Sequence, residues 1–575
     1  MMPRYLASLI FLVAAPFTVS SAAQAATPVP RPNILLILAD DLGWSDLGSC
    51  GGEIKTPTLD ALAAGGVKFT QFYNTARCCP SRASLLTGLD PHQAHVGNTT
   101  QDRGEEFPGY RGTLQADSVT LAEVLRDAGY RTSMVGKWHL HMAKTDVKPT
   151  DRGFEDFYGM LGGHNSCWDE SPYYTRWPKT RTPRAYTSAK NGVPGTFYAT
   201  DAFADYSLDF LAEARREKKP FFHYLAFNAP HFPLHAPESD IAKYEAMYFA
   251  KGWDAIRADR LARMKQLGLV PADLALPPRS VVPPKSHAKP SPYAGQENPA
   301  WASLPEERRR DLARRMAVFA AMVDRMDQAI GRIVADLRTH RELENTLILF
   351  LSDNGACWEW DPLGFDGSSG PKNVLHVGAD LKKLGAPGSY TSYGSGWANA
   401  GNTPWHLYKH FSHGGGIRAP FIAHWPAGLK ARGEIRTQAG HLIDLMPTFV
   451  ELAGAKYPAE RLGTAIQPIE GRSLVHALTA DRPITRTAPL FFEHDGSRAV
   501  RDGDWKLVFL VGDAWELYDL AANPTEMRTV ASVQPERVHV MSAQWLAWAQ
   551  RTHVEIDRDP FKAPAPGPGG KQKKM

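Results

Sequence analysis

The feature that most constrains this chain is the unbroken apolar run at residues 34–39, introduced by Pro32 and ended by Asp40-Asp41. A strand with one wet face alternates apolar and polar residues. A run without alternation belongs to a strand buried on both faces, as in a parallel sheet covered by helices. Similar runs recur at 221–227 and 347–351, and a further strand is expected at 131–135. Helical patterns lie between them: 59–64, stopped by Gly65, and 121–128, stopped by Gly129. Strands alternating with helices predict an α/β fold, a large mixed, mostly parallel sheet flanked by helices.

In such sheets ligands bind beyond the carboxyl ends of the strands. The residues there are strongly biased. Asp40 and Asp41 follow the first strand, Asn228 and His231 the second, Asp353 and Asn354 the third, and Gly136-Lys137-Trp138-His139 the strand at 131–135. Asp and Asn also favour plain turns. Four strand ends that all carry metal-ligand or proton-transfer side chains point instead to one shared site.

The 575 residues exceed one ordinary core, and a second unit is expected. A catalytic domain spans 31–455. From 456 to about 560 the strands shorten, near 489–492, 505–510 and 516–520, and a helix is expected at 534–550; this predicts a smaller antiparallel α+β domain. Residues 236–305 are rich in Pro with one helical stretch at 253–267, and read as an insertion over the sheet, a common seat of selectivity. A long helix is expected at 304–337. The Pro/Gly/Lys tail at 561–575 is expected to be disordered.

At the other end Arg4, the apolar stretch 6–19 and Ala23-Gln24-Ala25 form a signal peptide over residues 1–25, which implies a periplasmic or secreted protein without stable membrane insertion after cleavage. A net charge of +4, spread along the chain, gives no footprint for nucleic acid. Five cysteines, an odd number, form no disulfide framework. Cys78 and Cys79 are adjacent, and Cys78 is the candidate for a special role.

Cys78-Cys79-Pro80-Ser81-Arg82, continuing to Leu86-Thr87-Gly88, resembles the C-x-P-S-R-x-x-x-L-T-G signature of type I sulfatases of the alkaline phosphatase superfamily at every fixed position. The resemblance extends through Lys137-Trp138-His139, Ala229-Pro230-His231, Ser352-Asp353-Asn354-Gly355 and Gly416-Ile417-Arg418 to Leu517-Tyr518-Asp519-Leu520. It implies that a formylglycine-generating enzyme oxidises Cys78 before folding. A hydrated aldehyde carries two hydroxyls on one carbon, one to attack sulfur and one to expel sulfate.

The resemblance also implies a divalent cation, Ca2+ in most members, held by Asp40, Asp41, Asp353, Asn354 and the residue made from Cys78. Oxygen ligands of this kind suit Ca2+ or Mg2+. Arg82 and Lys137 are implied to hold the nucleophile and His139 to take its proton. His231 and Lys409 are implied to contact the sulfate and assist the leaving alcohol. Cys79 has no implied role beyond packing, and His141 reads as structural. The substrate is a small-molecule or glycan sulfate ester. Trp168, Tyr173, Tyr174 and Trp177 are candidates either to stack on it or to pack the fold. A formylglycine-dependent phosphodiester or phosphonate monoester hydrolase on the same scaffold is the alternative, and a catalytically dead metal-binding relative a third reading.

Overall fold

The computed structural model describes residues 31–140, 147–177, 184–186, 197–284 and 291–556. The expected leader at 1–25, the expected tail at 561–575 and His141 lie outside the described residues. Nine strands form the main sheet: β1 (Asn33–Ala39), β2 (Val67–Tyr73), β3 (Arg131–Lys137), β4 (Asp156–Met160), β5 (Tyr174–Trp177), β6 (Phe221–Ala226), β7 (Thr346–Ser352), β8 (Arg418–His424) and β9 (Glu434–His441). Their order is β5-β4-β3-β6-β1-β7-β8-β2-β9. The pairs β4/β3, β3/β6, β6/β1, β1/β7 and β2/β9 are parallel; β5/β4, β7/β8 and β8/β2 are antiparallel.

Strand β1 shows why its sequence does not alternate. Leu35 and Ile37 point into one core, shared with the helices Ala199–Glu217 and Glu306–Thr339. Ile34, Leu36 and Leu38 point into the other, shared with the helices Cys78–Thr87, Leu121–Asp127 and Leu445–Ala453. All five side chains have no exposed surface, and each such burial contributes about 1.5–3 kcal/mol.

Four parallel strands, β3, β6, β1 and β7, lie side by side and therefore end on the same edge. Ala39 is level with Ser352, and Leu38 and Gly136 are both level with Ala226. Strand β3 runs two residues further than its sequence suggests, through Gly136 and Lys137. Gly136 has φ 111°, and a Cβ there would lie 1.9 Å from the Ala226 carbonyl oxygen, so only glycine lets β3 approach β6 and carry Lys137 to this edge.

The second unit is a four-stranded antiparallel sheet, Leu490–His494, Ser497–Asp502, Trp505–Phe509 and Glu516–Asp519, covered by the helix Pro535–Arg551. It is tied to the main unit by buried polar contacts. Trp548 Nε1 donates to Asp90 Oδ2 at 2.7 Å, and His92 Nε2 lies 2.8 Å from Glu493 Oε2.

The stretch 236–305 differs from its expectation. Its helix, Glu245–Gln266, packs on Glu306–Thr339 as part of the core, with Trp253 and Arg260 fully buried. Arg260 donates to Asp46 Oδ1 and Glu53 Oε1, both at 2.7 Å. The helix of this stretch thus packs as part of the core, through Trp253 and the buried Arg260 pairs.

Candidate active site

The helix Cys78–Thr87 delivers the Cys motif to the sheet edge. Arg77 is extended (φ −152°) and the helix starts at Cys78. Pro80 is tolerated in the first turn because N–H groups there have no intrahelical partner. Ser81 Oγ accepts the Thr75 N–H at 3.1 Å, fixing the entry of the chain. Gly88, with φ 72°, ends the helix in the left-handed region and its N–H bonds the Ser84 carbonyl at 2.9 Å. All ten residues are buried.

The Cys78 end of this helix meets the strand ends through charge. Arg82 Nε and Nη2 both donate to Asp353 Oδ2, at 2.9 and 2.7 Å, and Nη1 donates to the Lys137 carbonyl at 2.7 Å. Lys137 Nζ donates to Asp40 Oδ2 at 2.5 Å. These four side chains have no exposed surface. Burial drives the Asp40 and Asp353 carboxyls above their ordinary pKa, against the pull of Lys137 on Asp40 and Arg82 on Asp353.

Asp41, at φ 67°, turns the other way. Lys409 Nζ lies 2.8 Å from its Oδ1 and 2.9 Å from its Oδ2, and His231 Nε2 is 3.5 Å from Oδ2. Burial raises this carboxyl, but His231 and Lys409 outweigh it and hold it at about 2. Burial also keeps His231 neutral, well below its ordinary pKa despite Asp41.

His139 lies across the Cys motif, its Nε2 3.5 Å from Cys79 Sγ, and burial lowers it to about 4. The neighbouring Cys79 thiol, with Lys137 and His139 near, draws the Cys78 thiol well below its ordinary pKa against burial, while Cys79 itself is driven up.

All ten sequence-selected residues, Asp40, Asp41, Cys78, Arg82, Lys137, His139, His231, Asp353, Asn354 and Lys409, thus belong to one connected cluster. The donor set suits a hard cation. Asp40, Asp41 and His231 place one ligand atom each within 4.8 Å of one another. Asp40 Oδ1 and Asn354 Oδ1 are buried acceptors with no hydrogen-bond partner among the described residues. Asn354 is oriented by Nδ2, which donates to Asp41 Oδ1 at 2.7 Å. Unsatisfied buried oxygens beside carboxylates are what a divalent ion coordinates.

Other sequence candidates fall outside. Trp168 and Tyr173 are buried, Trp168 Nε1 donating to the Gly385 carbonyl and the Tyr173 hydroxyl to the Ser166 carbonyl; these two pack. Tyr174 and Trp177 belong to β5. His413, which follows the Lys409 segment, also lies apart: its Nε2 sits 3.0 Å from Glu516 Oε2 and joins the two units. Cys50, Cys78, Cys79, Cys167 and Cys357 are all free and buried. Sequence reading missed Glu359, 3.8 Å from Lys409, and Arg77, which faces Asp495. Arg77 directly precedes the Cys motif, a position that was open to inspection.

A family model described as Sulfatase matches residues 32–455. The chain belongs to the sulfatase family. A second model, N-sulphoglucosamine sulphohydrolase, C-terminal, matches residues 401–546 of this sulfatase. An uncharacterized sulfatase of Schizosaccharomyces pombe is 34% identical over 558 residues, covering 93% of this chain and 96% of that one. An arylsulfatase of Klebsiella aerogenes is 33% identical over 459 residues, covering 77% of this chain and 91% of that one. The crystal structure of Ps i-CgsB in complex with k-i-k-neocarrahexaose has the same fold, with TM-score 0.61, 24% identity and coverage of 92% and 94%. The sulfatase is a type I member of the alkaline phosphatase superfamily and hydrolyses sulfate esters. Among the described residues no helix is long and apolar enough to cross a membrane.

Proposed function

We propose that residue 78, as formylglycine installed by a formylglycine-generating enzyme, is the nucleophile of this sulfatase, and that Asp40, Asp41, Asp353, Asn354 and residue 78 hold Ca2+. One observation carries the reading: the Cys78 end of a buried helix meets four adjacent parallel strand ends, each of which contributes a charged or proton-transferring side chain. Formylglycine supplies two hydroxyls on one carbon, for attack and for release. The cation supplies positive charge against the sulfate oxygens.

The chain's own residues do the rest. Arg82 and Lys137 fix the carboxylates of Asp353 and Asp40 through short buried contacts, so the ligand oxygens are set before substrate arrives. His139, neutral by burial and facing the Cys motif, accepts a proton from residue 78. His231 and Lys409, paired on Asp41, stand on the leaving side: the Lys409 ammonium faces the developing negative charge and passes a proton to the departing oxygen, with the neutral His231 accepting from it at 3.4 Å and holding it in place.

The family names of the relatives and the neocarrahexaose complex support a sulfate ester carried on an aryl or sugar group. We further propose two functional units, 31–455 and 456–560, and export to the periplasm or exterior after removal of residues 1–25.

The test compares an aryl sulfate with the matched aryl phosphate ester, using enzyme from a host that makes formylglycine, with Cys78→Ala beside it. Sulfate preference abolished in the variant is the expected result. Equal activity in the variant sinks the nucleophile assignment, and a preference for phosphate moves the enzyme to the ester-hydrolase alternative.

A further inference from the structure

The mechanism above has no use for a second sulfur beside residue 78, yet Cys79 supplies one at the free position of the motif. Cys78 and Cys79 open the helix Cys78–Thr87, and both are buried. His139, two residues beyond β3, is half-buried and reaches them from the sheet edge. Cys79 Sγ lies 3.5 Å from His139 Nε2. The two sulfurs and one imidazole nitrogen all lie within 4.8 Å of one another.

Two thiols this close invite a disulfide, but the backbone disfavours one. The Cys78-Cys79 peptide is trans and helical, so its Cα atoms stand about 3.8 Å apart, short of the ~4.4 Å at which disulfides begin. The imidazole is held as firmly. The Trp138 N–H bonds the Met160 carbonyl at 2.9 Å, and the His139 N–H bonds the Leu161 carbonyl at 3.1 Å with His139 at φ 53°. Gly163 keeps room at Nε2, since a Cβ there would lie 2.7 Å from that nitrogen.

Two sulfurs and an imidazole nitrogen form a soft donor set. Ca2+ and Mg2+ take oxygen, whereas Zn2+ takes thiolate and imidazole. The spacing agrees. With Zn–S of about 2.3 Å and Zn–N of about 2.0–2.1 Å, tetrahedral ligands put sulfur and nitrogen about 3.5 Å apart, which is the separation of Cys79 Sγ and His139 Nε2. The charge agrees as well. Two thiolates cancel that of the ion, so no net charge is added beside Lys137 and Arg82, each already paired with Asp40 or Asp353. Binding releases the two thiol protons to solvent and breaks no other covalent bond.

We propose that in chains whose residue 78 is still cysteine, Cys78, Cys79 and His139 bind a thiophilic divalent cation, Zn2+, with a fourth position left for water. The site is distinct from the oxygen cluster of Asp40, Asp41, Asp353 and Asn354, and it stands on its own geometry whatever ester the enzyme cleaves. Formylglycine has no sulfur, so conversion of residue 78 abolishes it. Bound zinc therefore marks the unconverted chains.

The experiment uses the full chain from a host that makes no formylglycine, with cysteine at position 78 verified by peptide mass. It is titrated with Co2+ in place of Zn2+, in a buffer holding Ca2+ and a phosphine reductant. The readout is sulfur-to-cobalt charge transfer in the near ultraviolet, which an ion held by carboxylates or imidazole alone does not produce. Wild type is expected to take up one Co2+ per chain with this band and to lose the band on addition of Zn2+. Cys79→Ser and His139→Gln should each weaken Zn2+ at least about tenfold, since even the loss of a residue behind a ligand costs that much. Cys357→Ser should keep the band. Zinc K-edge absorption of wild type needs no variant, and should read two sulfurs and one nitrogen around the ion. A wild type without the charge-transfer band overturns the inference. So does a zinc shell without sulfur, or a Zn2+ affinity unchanged in Cys79→Ser.

Discussion

The two walls of the pocket are built on opposite rules. The sheet-side wall is a closed account of charge: Arg82, Asp353, Asp40 and Lys137 have no exposed surface, and each ion-pairs with another at 2.5–2.9 Å. The hairpin-side wall is held by longer contacts, with Arg77 and Asp495 3.9 Å apart, His494 Nε2 3.2 Å from Asp495 Oδ2 and His410 Nε2 3.6 Å from Glu359 Oε1. The first arrangement holds atoms still for chemistry that does not vary with the alcohol. The short ion pairs and the longer contacts thus occupy different elements, the strand ends and the second unit's turn.

Cys78→Ala removes the group that both walls face, and should lower sulfate ester hydrolysis at least ~10^4-fold with the fold retained, as a steady-state assay and a thermal melt would show. Cutting only the sheet-side wall should be felt in stability. Arg82→Ala leaves Asp353 buried and uncompensated, at a cost of about 3–5 kcal/mol in denaturant unfolding. Asp495→Asn on the other wall should cost under about 1 kcal/mol. Equal losses in the two variants would erase the distinction.

His139→Ala should reduce kcat about 10^2–10^4-fold. In wild type the base is lost on protonation, so kcat/KM should hold down to about pH 5 and fall below about pH 4, where His139 titrates. An acid limb near the ordinary histidine value would mean that the imidazole stands in water. Chelation is the mildest of these treatments: it should depress activity and the melting temperature together. Ca2+ added at ~100 times its dissociation constant should restore about 2.7 kcal/mol of stability, and better recovery with Mg2+ would reassign the ion.

Much of the sheet-side wall was legible in the chain. Buried parallel strands must be apolar throughout, so their ends are marked wherever Asp, Asn, Lys or His interrupts the run, as at Asp40, Lys137, His231 and Asp353. Strand order was not legible, since nothing local says that β6 lies between β3 and β1. Lys409 came from motif resemblance, because it sits in irregular chain between the short helices Gly394–Gly401 and Gly414–Ile417. The hairpin-side wall was hidden for a different reason. His494-Asp495-Gly496 has the composition of any tight turn, and only the docking of the second unit through His92, Asp90 and Asn98 brings it beside Arg77. The same holds at 236–305: Pro marked an insertion with one helix, and nothing local said that Arg260 would form a buried pair with Asp46 and Glu53.

Return to the helix Cys78–Thr87, in which every residue is closed to solvent. A maturation enzyme cannot grip a segment packed inside its substrate, so under the maturation proposed above conversion of Cys78 would compete in time with the collapse of the chain around it. Each molecule gets one opportunity, and a late one is barred for as long as the fold lasts. The specific activity of a batch is then a fossil of its synthesis: it counts the chains that were caught in time, and no later incubation with the maturation enzyme can raise it unless the protein is first unfolded.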